Sequence, residues 1–111
     1  ESILNSTKKV LNQSPEYTAF DPDVMMFINS ALATLLQLIP GMTPVVITSA
    51  DEVWADLGLP PDLLALVRTF VYLKSRSEFD PPSNSFLVDA MTKQITEYEW
   101  RINTMAEGAF T

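Results

Sequence analysis

The eight residues FDPPSNSF, Phe79 to Phe86, decide the fold. Before them stands DLLALVRTFVYLKSRSE (62–78), and after them LVDAMTKQITEYEWRINTM (87–105). Both flanks repeat apolar residues at steps of three and four, which places them on one side of an α-helix. Proline lacks an amide donor and disfavours helix in the residue before it, so Asp80-Pro81-Pro82 ends the first helix. Ser83 or Ser85 is positioned to cap the second. No catalytic group sits in this corner. Pro81 and Pro82 are read as a structural corner that sets the angle between two helices.

Working outward, the helix from Asp62 to about Phe79 turns Leu63, Leu66, Val67, Phe70, Val71 and Leu73 inward. The last helix reaches about Ala106 along a seam of Leu87, Met91, Ile95, Tyr98, Ile102 and Met105, suited to helix-on-helix packing. Its first half is expected to pack on the 62–79 helix. Beyond Tyr98 that partner is expected to run out, leaving Ile102, Met105 and Phe110 as an uncovered apolar end. Trp100 lies off the seam, beside Lys93, Glu97 and Asn103. Trp is enriched at contact centres, which makes it a candidate interface anchor.

Upstream, Ser2–Asn12 reads as a short amphipathic helix with Lys8 and Lys9 outside. Tyr17 and Phe20, in the connector after it, are expected to pack back onto the core. Asp21 is a good N-cap, Pro22 suits a first helical position, and Pro40-Gly41 is a stop, so a helix spans about 21–39. It is apolar nearly all round, and such a helix must be covered on most sides. Met26 and Phe27 are therefore candidates for a subunit or partner interface. A membrane span is rejected, because Asn29, Ser30, Thr34 and Gln37 interrupt the run. Residues 42–48 form a connector with a weak strand signal at Val45–Ile47. Ser49-Ala50-Asp51-Glu52 matches a capping box and predicts a short helix, ended by Gly58 and Pro60-Pro61. The expected architecture is one all-α domain over residues 1–111. It has four or five helices, an irregular or weakly β connector and a long C-terminal helix.

Composition narrows the function. The chain has 111 residues, 47% of them hydrophobic, and a formal net charge of −7. No Lys or Arg occurs between Lys9 and Arg68. A free-standing nucleic-acid binder normally carries a basic patch, which these totals oppose. The chain lacks both Cys and His. Disulfides and thiolate metal sites are thereby excluded, and the commonest general base and zinc ligand are missing. The start, ESILNSTKKVLN, lacks the apolar core of a signal peptide. Asp21 and Asp23 form a capping arrangement rather than an acid/base pair. Asp51, Glu52 and Asp56 lack the glycine turn of a calcium loop. Three glycines leave no phosphate cradle. No enzyme activity, cofactor or metal is expected.

In order, ILNSTKKVL, EYTAFDPDVMMFINSALATLLQL, ITSADEVWADL and VYLKSRSEFDPPSNSFLVDAMTKQITEYEWRIN resemble the phage head-tail connector family, the adaptors of long-tailed phages. The resemblance runs from Ile3 to about Asn103. It implies a structural virion protein, made in the host cytoplasm and placed at the head–tail junction. Such adaptors stack under the portal protein, usually as a dodecameric ring of copies. They extend the DNA channel and dock the next head-completion or tail protein. Double-stranded DNA would pass without sequence-specific binding. On that reading Asp51, Glu52, Asp56 and Asp62 are candidate channel-facing acids, forming a wall that does not hold the duplex. The alternative class is an acidic helical module or DNA mimic that regulates a cytosolic partner. Carboxylates spaced like phosphates would favour that alternative.

Overall fold

A computed structural model describes residues 1–110. Among them are four α-helices: α1 (Ile3–Val10), α2 (Asp21–Leu38), α3 (Pro61–Phe79) and α4 (Ser85–Phe110). A 3₁₀ turn covers Trp54–Leu57, and no strand occurs among the described residues. The all-α expectation holds. The molecule is flat, 41 × 36 × 18 Å. α3 lies centrally, with α2 on one side and α4 on the other, and α1 leans on both α2 and α3.

α1 begins with Ser2, whose hydroxyl accepts the Asn5 amide at 3.1 Å, a normal N-cap. It ends where Asn12 takes a left-handed backbone (φ +62°), a conformation Asn tolerates better than most residues. Lys9 is exposed, as expected, but Lys8 is only 1% exposed. The loop after α1 folds over it. Lys8 Nζ donates to the Pro15 carbonyl at 3.1 Å and the Tyr17 carbonyl at 2.8 Å. Asp21 Oδ1 stands 2.8 Å away, close in distance but poorly angled for a hydrogen bond. Two carbonyls accept its hydrogen bonds and the nearby carboxylate balances its charge, which is why it can be buried. Asp21 thus differs from its expected role. Phe20 holds the N-cap position, and Asp21 sits in the first turn of α2 serving Lys8.

The inner stripe of α2 is Val24, Ile28, Ala31, Leu32 and Leu35, all buried. It meets Leu63, Leu66, Val67, Phe70 and Val71 of α3 in one core. Burying a side chain of this size is worth about 1.5–3 kcal/mol before entropy is charged against it.

The connector 42–53 forms no strand at Val45–Ile47. Asn29 pins it to α2 by bonding both backbone groups of Ile47. Backbone pairing occurs instead at the start of the chain. Ser2 bridges Val53, and the Ile3 amide donates to the Glu52 carbonyl at 3.0 Å. The Ser49–Glu52 box forms its local bonds without starting a helix. Glu52 accepts the Ser49 amide at 3.2 Å and the Thr48 hydroxyl at 2.9 Å. The turn begins only at Trp54, where Asp56 accepts the Val53 amide at 3.0 Å. Gly58 closes it at φ +66°, a backbone conformation that favours glycine.

α4 is capped by Asn84, not by Ser83 or Ser85. Asn84 Oδ1 accepts the Phe86 amide at 2.8 Å. α3 and α4 run antiparallel, with Leu66 opposite Trp100–Met105 and Leu63 opposite Met105–Ala109. In that register α4 begins more than a turn beyond the end of α3. The uncovered end is therefore its start, the reverse of the expectation. Ile95, Ile102 and Ala106 are buried, while every residue from Ser85 to Ala90 is exposed.

Candidate assembly surface

Three exposed apolar regions stand out. The first is the projecting start of α4, where Phe86 is 76% exposed and Leu87 and Val88 are exposed beside it. Sequence reasoning assigned Leu87 to the buried seam and did not single out Phe86 or Val88. The available signal was their place within one turn of a cap, ahead of any residue that α3 can cover.

The second lies on the outward side of α4. Trp100 is 68% exposed, and Met105 is partly exposed nearby. With Leu66, Arg101 and Thr104 they line a shallow depression of about 280 Å³. Arg101 rests over the Tyr98 ring at 5.1 Å. Ile102 departs from its expected place here. It is 0% exposed, because the second half of α4 is the half that α3 covers. The Phe110 side chain lies outside the described residues.

The third is a groove where the start of α2 meets the end of α3. Phe20, Phe27 and Phe79 line it, with Gln13, Asp23 and Asp80 at its edges. The Phe20 and Phe79 rings meet edge to face at 5.5 Å, and Tyr17 joins Phe20 at 5.9 Å. Tyr17 and Phe20 are exposed instead of packing into the core. The loop tethered by Lys8 carries them along the surface. Phe27 is half-buried in this groove, and Met26, on the next position of α2, is 59% exposed.

The four candidate channel acids do not behave alike. Asp51, Asp56 and Asp62 are exposed, whereas Glu52 is half-buried and engaged locally. The Thr48 hydroxyl, with the Ser49 and Thr48 amides, holds the Glu52 carboxyl below its ordinary value. Pro81 is exposed and Pro82 half-buried, so the corner is a surface feature. Among the described residues no acidic cluster suited to a metal ion occurs.

A family model described as "Phage connector protein" matches residues 3–109. The chain belongs to that family. The match covers nearly all of the chain and agrees with the resemblance carried by its quoted segments. No curated protein and no solved structure matches it. A phage connector is a structural component of the virion that meets other head or tail proteins. Among the described residues, no helix is long and apolar enough to cross a membrane.

Proposed function

We propose that the chain is a head-tail connector, without catalytic activity, that forms a ring of copies under the portal. The ring extends the DNA channel and docks the next connector or tail protein. The observation that carries this reading is the projecting first turn of α4. Phe86, Leu87 and Val88 emerge together at the capped start of α4, which the other described residues leave uncovered. Scattered single exposures need no explanation, but a contiguous apolar projection on a small protein is the mark of a contact site. Pro81 and Pro82 stiffen its base. Met26, Phe27, Trp100 and Met105 supply further interface, as a subunit with neighbours on several sides requires. Asp51, Asp56 and Asp62 face the channel, where their charge keeps the passing duplex from adhering.

The experiment is co-purification with the cognate portal. Replacing Phe86, Leu87 and Val88 together by Ser should leave the fold and thermal stability nearly unchanged, since the three are exposed. Binding to the portal should fall by roughly tenfold or more, the loss expected for a small apolar hot spot. Portal binding equal to the unaltered protein would remove the projection from the docking site.

A further inference from the structure

We propose that residues 13–20 form a strap that lifts off the body as one unit, latched by the buried ammonium of Lys8. The groove lined by Phe20, Phe27 and Phe79 exists only with the strap down, so lifting it takes that surface apart. The strap works in this way whether or not copies form a ring.

Little besides the latch holds it. Every residue from Ser14 to Phe20 is exposed, so the strap adds no buried side chain to the core. Its backbone bonds are local. The Tyr17 amide donates to the Ser14 carbonyl at 3.2 Å, and the Asp21 amide donates to the Thr18 carbonyl at 3.1 Å. Among the described residues, the hydrogen bonds that tie Ser14–Ala19 to α1 are the two that Lys8 donates, to the Pro15 and Tyr17 carbonyls. One ring contact joins the strap to α3, the edge-to-face packing of Phe20 on Phe79. Segments with so few buried apolar contacts open at a lower free energy than the whole domain.

Both ends of the strap suit a hinge. Asn12 holds a left-handed backbone where α1 stops, and Phe20 is the non-helical residue just before α2. Hinges commonly use such element-terminal positions. Opening also returns two polar groups to water. Lys8 is 1% exposed, and a buried ammonium regains hydration when released. Asp21 Oδ1 is buried without a hydrogen bond among the described residues, and water supplies one. These gains offset part of the two broken bonds, so the latch gives way while the helices stay folded. α1 itself stays in place, because Ile3 and Leu4 remain in the core and the Trp54 indole still donates to the Ser6 hydroxyl at 2.8 Å. With the strap lifted, Phe20 leaves Phe79 and Lys8 emerges beside the exposed Lys9.

The test is amine acylation of the full chain by N-hydroxysuccinimide acetate, resolved by residue with mass spectrometry. It is run beside amide exchange, at urea concentrations below the unfolding transition. A local opening exposes little surface and responds weakly to urea, whereas global unfolding responds steeply. Lys8 should react about tenfold or more slowly than Lys9, at a rate nearly flat in urea. Exchange of the Ile28, Leu32 and Phe70 amides should climb with the slope of global unfolding. Lys8 acylation that climbs in step with those amides, or that matches Lys9 without urea, overturns the strap. Phe20→Ala removes the ring contact and leaves the latch intact. It should speed Lys8 acylation about threefold or more, the loss of one edge-to-face pair. Lys8 acylation unchanged by Phe20→Ala means that ring and latch do not move together, and it overturns the single unit.

Discussion

Asn29 holds Ile47 by both of its backbone groups. Its side-chain Nδ2 donates to the Ile47 carbonyl at 3.0 Å, and its Oδ1 accepts the Ile47 amide at 2.7 Å. The amide side chain thus does for one residue what a neighbouring strand would do, and it closes the connector onto α2 without a sheet. Asn29→Leu removes both partners and leaves a buried segment's backbone unpaired. The expected cost is about 2 kcal/mol, measured by urea unfolding. Because the Ile47 side chain stays in the core, the helices should persist by circular dichroism.

Lys8 ties the loop 12–20 to α1 and α2. Lys8→Met keeps the apolar stem but strands Asp21 and two carbonyls. Breaking a buried pair from one side should cost about 3 kcal/mol. Pairing it with Asp21→Asn should recover part of that loss, because the unpaired charge is then gone. A double variant as unstable as the single one would place the cost in the loop carbonyls instead.

Glu52 gives a pH signature. Its carboxyl lies below its ordinary value of 4.5, mainly through the Thr48 hydroxyl. A depressed acid contributes stability that is present above its unfolded value and is lost as pH falls through the folded one. Thr48→Val should therefore raise the Glu52 titration midpoint toward 4.5, as read by carbon-detected NMR. The variant's stability should then approach that of the parent at low pH and fall short of it at neutral pH.

Much of this was legible in the sequence. α2, α3 and α4 follow from long apolar periods bounded by proline, and residue-level patterning is strong wherever a helix has one continuous buried side. Lys8 was not legible, since a lysine's burial depends on where a later loop places its carbonyls. The register of α4 against α3 was not legible either. Its seam residues are evenly spaced, and the path of Asp80 to Asn84 alone determines which end projects. The aromatic groove joins residues about 60 positions apart (Phe20 with Phe79), and no local pattern links them.

The channel assignment predicts an effect of charge. Asp51→Lys and Asp62→Lys should each leave stability within about 0.5 kcal/mol, as for exposed sites, while Asp56→Lys should cost about 1 kcal/mol, because the Val53 amide loses its acceptor. If these residues face the channel, assembled rings should now retain duplex DNA, with affinity that falls steeply as salt rises, because binding releases condensed counterions. A filter-binding titration at two salt concentrations distinguishes this from unchanged rings, which would place the acids on the outer wall.

The central claim is that this phage connector protein works as a ring stacked on the portal. Electron microscopy of the purified chain mixed with its cognate portal tests it most directly. The account predicts a closed ring of copies, coaxial with the portal and continuous with its channel, with Phe86, Leu87 and Val88 buried at a contact. A portal left bare, or single copies bound with those three side chains still in solvent, would contradict it.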